Sequence, residues 1–260
     1  MWIHNLNPVL LSLGSLEIRW YGLVYVFGAL FSLWWLLFWQ KKGFLKLTKD
    51  EVWDFVFYCL LGVLIGSRLF MVIWEPGTYL TNPLELLYFW HGGMSFHGGF
   101  AGIIVATLIF TKKRQVSFLK IADLMCFPTM IALALGRIAN FINGELVGRV
   151  FDGSWCVIFP GETECRHPST LYAATKRFAI AGWLYFLTMR QFSLGFNAGF
   201  IFWNFMFFEG LGRFLLDFYR EDILYFGLST GQWMSSIMII VAGVVLIKKY
   251  DSDWKKILVF

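Results

Sequence analysis

Residues 20–39 read WYGLVYVFGALFSLWWLLFW, twenty residues without a charged side chain. About 20 mostly apolar residues are enough for an α-helix to cross the hydrocarbon core of a bilayer. The region 178–189 is the weak case, because its twelve apolar residues cross a membrane only if the helix also takes in the polar stretch from Ser169. With these two, seven segments qualify or come close: 20–39, 55–74, 96–110, 121–142, 178–189, 196–216 and 228–247. The pattern predicts an all-α membrane protein with seven transmembrane helices.

The composition supports this class of protein. Of the 260 residues, 58% are hydrophobic and 15% are charged, and the mean hydropathy is +0.63. Ordinary soluble domains are about 45–50% apolar and about 25% charged. A water-soluble enzyme is excluded because the chain has too little polar surface, and 29 Phe with 13 Trp exclude a disordered chain. We expect residues 1–260 to form a single polytopic membrane domain.

Lys and Arg residues in the connections indicate the orientation, because positively charged loops stay on the cytoplasmic side. With seven spans, the connections on one side contain 13 Lys and Arg residues and those on the other contain six. The richer side comprises 40–54, 111–120, 190–195 and 248–260, and the poorer side comprises 1–19, 75–95, 143–177 and 217–227. We expect the N-terminus outside, the C-terminus in the cytoplasm, and a small extracytoplasmic loop region around 143–168. The basic loops also account for the net charge of +5 without a nucleic-acid partner.

Charged and amide side chains inside the predicted spans gather toward the outer side. Arg68, Arg137 and Arg213 each lie late in a span, although an intramembrane arginine costs at least about 2.5–3.5 kcal/mol. Arg137, Asn140 and Gly144 share one helix face. Such groups need partners, and a ligand rich in acceptor oxygens, such as a phosphate, suits them. Snorkelling of the arginines to lipid headgroups is the alternative.

The sixth segment carries Glu209, Arg213, Asp217 and Arg220. Their i, i+4, i+8, i+11 spacing places them on one helix face. Such a row either binds an anion or forms a purely structural ladder of ion pairs.

A glycine-rich connection on the outer side, HGGMSFHGG at 91–99, contains two histidines. Paired glycines let the backbone approach a ligand or a neighbouring helix closely, and histidine titrates near neutral pH. His97 is therefore either a proton acceptor or a hydrogen-bonded structural residue. His4, His91 and His167 are predicted on the same side, but no metal-binding spacing joins them, so neither a metal nor a cofactor is expected.

Residues 136–149, GRIANFINGELVGR, closely resemble the signature of the prolipoprotein diacylglyceryl transferase family. RWYGL at 19–23, GMSFHGG at 93–99, RHPS at 166–169 and GQ at 231–232 are similar to further motifs of the family, in the same order. The resemblance implies seven spans with the N-terminus outside, in the cell membrane. It also implies transfer of the diacylglyceryl group of phosphatidylglycerol to the lipobox cysteine thiol of a prolipoprotein. A thioether forms in that reaction and glycerol-1-phosphate leaves.

Transferred position by position, the resemblance implies two groups of site residues. The catalytic group, with His97 as general base and Arg213 beside the phosphate, comprises His97, Arg213, Tyr21, Asn140 and Glu145. The substrate-binding group, with Arg137 on the lipid headgroup, comprises Arg137, Asn143, Gly148, Asp217 and Arg220. Asn140 and Glu145 are expected to orient the Arg137 guanidinium.

The sequence departs from the family at positions that bear on substrate binding. Ala173 stands where the family usually has Glu, and Asp217 replaces a usual Glu, which shortens its reach toward Arg213 by one methylene. These departures leave an inactive homologue as one alternative interpretation. Another is an anionic-lipid-binding protein or transporter that uses the same arginines to hold its substrate. Cys156 and Cys165 fall in one outer connection, where a disulfide between them is a further hypothesis.

Overall fold

Seven of the nine α-helices found in the described part of the chain lie on the seven apolar segments. The structure, a computed structural model, describes residues 1–14, 16–88 and 95–258. The helices are α1 (Trp20–Lys41), α2 (Lys49–Trp74), α3 (Pro76–Thr81), α4 (Phe96–Arg114), α5 (Phe118–Ile142), α6 (Ser169–Leu194), α7 (Phe200–Leu216), α8 (Thr230–Lys249) and α9 (Asp251–Leu258). Two 3₁₀ helices, Pro83–Leu87 and Asp217–Tyr219, lie between them.

Four helices, α1, α2, α5 and α8, are long and apolar enough to cross a membrane by length and composition. The other long helices are more polar or shorter: α4 ends in three basic residues at 112–114, α6 contains Lys176 and Arg177, and α7 has 17 residues. Because α6 begins at Ser169, it does take in the polar stretch that its short apolar segment requires. The protein is thus mostly helical with several candidate spans, and the seven-span topology stays a prediction.

The connections contain three two-stranded sheets, which an all-α prediction does not include. The strands are β1 (Trp2–Ile3), β2 (Val9–Leu13), β3 (Leu16–Arg19), β4 (Val157–Ile158), β5 (Leu224–Tyr225) and β6 (Leu228–Ser229). β1 pairs in parallel with β4, whereas β2 with β3 and β5 with β6 form antiparallel pairs. Strands of two to five residues are too short to show an alternating pattern in the sequence.

The chain forms two compact units, Met1–Ser32 with Ile121–Phe260, and Leu33–Lys120. The first unit has an apolar core to which α5, α6 and α7 contribute fully buried side chains such as Met130, Leu184 and Phe200. Asp123 of α5 also links two helices of this unit, because its carboxylate accepts the backbone N–H groups of Gly199 and Phe202 at 2.6 and 2.7 Å. This carboxylate therefore caps the positive end of α7.

In the second unit, α2 and α4 pack against each other through glycines. A Cβ atom on Gly102 would lie 1.9 Å from the carbonyl oxygen of Gly62, and one on Gly98 would lie 2.3 Å from that of Gly66. Helix backbones can approach this closely only where no side chain intervenes. Gly98 therefore serves the approach of a neighbouring helix, while His91, Gly92, Gly93 and Met94 of the same motif lie outside the described residues.

Candidate functional site

Helices α5, α6 and α7 of the first unit, together with the 3₁₀ turn that follows α7, enclose a small cavity of about 20 Å³. We call it the cationic cavity, because its lining includes Arg137, Lys176, Arg177, Arg213 and Arg220 together with the carboxylate of Asp217. The arrangement favours an anionic ligand, since its positive charges converge from separate parts of the chain.

Arg137 lies in the last turns of α5, where three polar side chains connect to it in series. Arg137 Nη1 lies 3.5 Å from Asn140 Oδ1, and the Asn140 amide donates to Glu145 Oε2 at 3.2 Å. The Asn143 amide donates to the other oxygen of Glu145 at 2.7 Å. The structure thus brings together the residues expected to orient Arg137.

Asp217 lies between two arginines, Arg213 in the last turn of α7 and Arg220 just after the 3₁₀ turn. Its side chain has no exposed surface, and its Oδ1 lies 2.9 Å from Arg213 Nε and 4.0 Å from Arg220 Nε. Ser229 Oγ donates to Asp217 Oδ2 at 2.8 Å, and the same hydroxyl accepts the N–H of Gln232 to cap α8. The short side chain of Asp217 therefore reaches Arg213.

Gly231, in the first turn of α8, makes room for this ion pair. A Cβ atom at this position would lie 2.2 Å from Asp217 Oδ2 and 2.9 Å from Arg213 Nη2. Glycine at 231 is therefore a requirement of the Asp217–Arg213 pair, although the position itself contributes no functional group.

Glu209 does not extend that ladder along α7 but pairs across to α6. Its Oε1 accepts Arg177 Nη2 at 2.7 Å and Nε at 3.1 Å, and its Oε2 accepts Lys176 Nζ at 2.6 Å. The sequence prediction missed Lys176 and Arg177, because both precede the apolar core of the segment. The requirement that the fifth helix start at Ser169 was the signal that would have placed them inside it.

The connection at 143–168 packs beside these residues. It contains the hypothesised disulfide, Cys156–Cys165, whose Cα atoms are 5.4 Å apart. Gly148 donates its N–H to the carbonyl of His167 at 3.1 Å. A Cβ on Gly148 would lie 2.6 Å from that oxygen and 2.7 Å from the carbonyl oxygen of Tyr219. Close backbone packing thus accounts for glycine at this position.

Tyr21, His97 and Arg68 are the remaining predicted polar residues. Tyr21 is the second residue of α1, and its hydroxyl accepts a hydrogen bond from Tyr25 at 3.1 Å. His97 is the exposed second residue of α4 in the second unit. Arg68 is buried in that unit and donates to the Tyr79 hydroxyl at 3.1 Å, so a protein group supplies a partner for its guanidinium.

Fold and site together define a helical membrane protein with a charged cavity suited to an anionic group. The sequence model of the family described as prolipoprotein diacylglyceryl transferase matches residues 8–248. The chain is 41% identical over 263 residues to the phosphatidylglycerol–prolipoprotein diacylglyceryl transferase of Methylobacillus flagellatus, covering 95% of this chain and 98% of that relative. The relative of the same name from Geobacter sulfurreducens is 40% identical over 233 residues, covering 89% of this chain and 88% of that relative. The relative from Nitrosomonas europaea is 41% identical over 282 residues, covering 98% and 95%.

The chain belongs to the prolipoprotein diacylglyceryl transferase family. This membership confirms the resemblance carried by residues 136–149, and it places the protein among membrane transferases.

Proposed function

We propose that the protein transfers the diacylglyceryl group of phosphatidylglycerol to the lipobox cysteine thiol of prolipoproteins. The observation that carries this proposal is the cationic cavity in a chain that belongs to the transferase family. An anionic phospholipid and the signal peptide of a prolipoprotein are then its two proposed substrates. The names of its relatives give phosphatidylglycerol and prolipoprotein for those proteins.

The chemistry requires positive charge. The thiolate sulfur attacks the sp³ carbon of the glyceryl group, a carbon–sulfur bond forms, and the carbon–oxygen bond to phosphate breaks. The electron pair of that bond goes to the phosphate oxygen, so a phosphodiester monoanion becomes the dianion of glycerol-1-phosphate. Cationic side chains positioned at the phosphate stabilise the charge that develops there.

The residues of the site receive roles within this reaction. We infer that Arg137 binds the headgroup phosphate and is held by Asn140, with Asn143 and Glu145 behind it. Arg213 stabilises the departing phosphate. The remaining proposed site residues are His97 as acceptor of the thiol proton, Tyr21 and Gly148 in positioning, and Asp217 and Arg220 in holding the cationic cavity.

An apolar groove of about 270 Å³ supports a lipid donor. Trp20, Leu23 and Phe27 of α1 form one wall, and residues of α5 that include Leu135 and Ile138 form the other. α5 thus carries Arg137 toward the cationic cavity and apolar side chains toward the groove. This combination fits a ligand with a charged head and hydrocarbon chains.

We further propose that residues 1–260 form one polytopic domain with seven spans in the cell membrane. The N-terminus lies outside and the C-terminus in the cytoplasm, because the Lys and Arg residues are concentrated in the set of connections that includes 248–260. The reaction then takes place at the outer leaflet.

The test uses the purified full chain in detergent with phosphatidylglycerol and a lipobox peptide, and detects the diacylglyceryl adduct by mass spectrometry. We expect Arg137→Ala to lower the transfer rate at least about 100-fold, as for loss of one stabilising donor, while His97→Ala only slows it. Arg190→Ala, an arginine near the other end of α6, is the matched control and should retain transfer. Full activity in Arg137→Ala contradicts the assignment, and a folded wild-type protein that forms no adduct with several anionic donors favours a lipid-binding role.

A further inference from the structure

Lys176 is a cation of the cationic cavity to which the family resemblance gives no role. Its side chain is 15% exposed, and its Nζ lies 2.6 Å from Glu209 Oε2. The stem of the side chain crosses α7 at Gly212, where a Cβ atom would lie 2.2 Å from Lys176 Cδ. Because Gly212 has no side chain, the Lys176 stem can pass close to α7, and its ammonium group lies beside the turn that carries Arg213.

Glu209 does not depend on Lys176 for its counter-charge. Arg177 donates two hydrogen bonds to Glu209 Oε1, at 2.7 and 3.1 Å. Arg177 is itself held by the carbonyl of Leu133, which its Nη1 reaches at 3.3 Å. If the Lys176 ammonium turned away, the carboxylate would keep a guanidinium partner, so the exchange leaves no buried charge unpaired.

The charges around the cationic cavity are unequal. Five cationic side chains line it, and three carboxylates, Glu209, Asp217 and Asp222, form ion pairs with four of them. Two positive charges are thus in excess among these described residues. A phosphate monoester dianion carries the charge that balances them.

We propose that Lys176 is a phosphate-binding residue that exchanges Glu209 for the phosphate as glycerol-1-phosphate departs. The inference rests on the proposed function and adds one phosphate-binding residue to the same site. When the carbon–oxygen bond breaks, the second negative charge appears on the phosphate. Lys176 then turns to the phosphate, while the Glu209 carboxylate stays paired with Arg177. Lys176 therefore acts on the dianion more than on the intact phosphodiester donor.

The first experiment measures binding of glycerol-1-phosphate to the full chain in detergent by titration calorimetry, which requires no transfer activity. We expect Lys176→Met to weaken binding about tenfold or more, as for loss of a charged hydrogen bond, and Lys176→Arg to recover most of it. Glu209→Gln should strengthen binding, because the ammonium then has no competing carboxylate. Lys248→Met, the same change at an exposed lysine in the last turn of α8, should bind as the wild type does.

The second experiment measures transfer with the same variants. Lys176→Met should lower kcat about tenfold while the KM for phosphatidylglycerol changes little, because the new charge develops only during the reaction. A purely structural ion pair predicts that Lys176→Met and Glu209→Gln weaken glycerol-1-phosphate binding alike, and that result overturns the proposal. Unchanged binding in Lys176→Met, or no binding by the wild type, overturns it as well. Failure of wild-type transfer would count against the proposed function, and the calorimetric comparison would still decide the role of Lys176.

Discussion

Residue 217 shows how a single buried carboxylate organises the arginines of the cationic cavity. Asp217 accepts Ser229 Oγ at 2.8 Å and lies 2.9 Å from Arg213 Nε. We predict that Gly231→Ala lowers the transfer rate at least about tenfold, because the added methyl group displaces Asp217 and Arg213 from these contacts. The measurement is the rate of adduct formation in folded, monodisperse protein.

Gly243→Ala is the matched control on the same helix, since its Cβ would meet Phe207 at an ordinary 3.6 Å. It should retain wild-type transfer. Equal rates for Gly231→Ala and wild type would show that the ion pair tolerates displacement.

His167 makes folding depend on pH in a defined direction. Its ring stacks on Phe151 with centroids 3.9 Å apart, and burial lowers the pKa of His167 below the ordinary 6.5. The unfolded chain therefore binds the proton more readily than the folded protein does. The contribution of His167 to the free energy of unfolding is present above about pH 6.5 and is lost as the pH falls toward the folded-state pKa.

We predict that His167→Phe, which keeps an aromatic ring against Phe151, loses less thermal stability than the wild type between about pH 7.5 and about pH 5.5. Thermal unfolding in detergent at both pH values measures the difference. Equal losses in the two proteins would mean that His167 does not contribute to the acid sensitivity.

At the scale of elements, the contact between α2 and α4 depends on bare backbone. We predict that Gly102→Ala destabilises the protein by about 1–3 kcal/mol or more, because the helices must separate to admit the methyl group. Gly99→Ala on the same helix is the control, since its Cβ would meet Val63 at 3.6 Å. The midpoints of thermal unfolding should differ clearly between these variants, and equal midpoints would contradict the packing argument.

The positions of the helices can be predicted from the sequence better than the contacts between helices can. Apolar segments predict where α1, α5 and α8 lie, because an unpaired backbone in a bilayer is costly over the whole segment. The start of α6 at Ser169 followed only from the length a span requires. The cap that Asp123 places on α7 joins residues 76 positions apart, and no local pattern indicates it.

At the scale of the whole molecule, the distribution of basic residues predicts the orientation in the membrane. Asn5 and Ser252 are exposed positions near the two ends of the chain. In intact spheroplasts, a membrane-impermeant maleimide should label Asn5→Cys, whereas Ser252→Cys should react only after lysis, because the positive connections stay in the cytoplasm. The reverse pattern would contradict the proposed orientation.

The membership of the family and the residues of its signature follow from the sequence, since residues 136–149 specify chemical groups in a fixed order. The joining of Arg137 to Asn140 and Glu145 was also predictable, because these residues lie within nine positions of one another. The geometric relation of Glu209 to its neighbours was not. The i, i+4 spacing predicted an ion pair between Glu209 and Arg213 on the same helix, whereas in the structure Glu209 pairs with Lys176 and Arg177 of α6.

The sequence by itself determined the membrane class, the helical segments and the family. Hydropathy adds up along a contiguous segment, and a signature motif is contiguous too, so neither needs the fold. Only the tertiary structure decided that Lys176 and Arg177 share the cationic cavity with Arg137, that Gly231 makes room for the Asp217–Arg213 pair, and that Arg68 binds Tyr79. These outcomes depend on which side chains meet from distant parts of the chain, because ion pairs and close backbone contacts act over a few ångströms in space, whatever the separation in sequence.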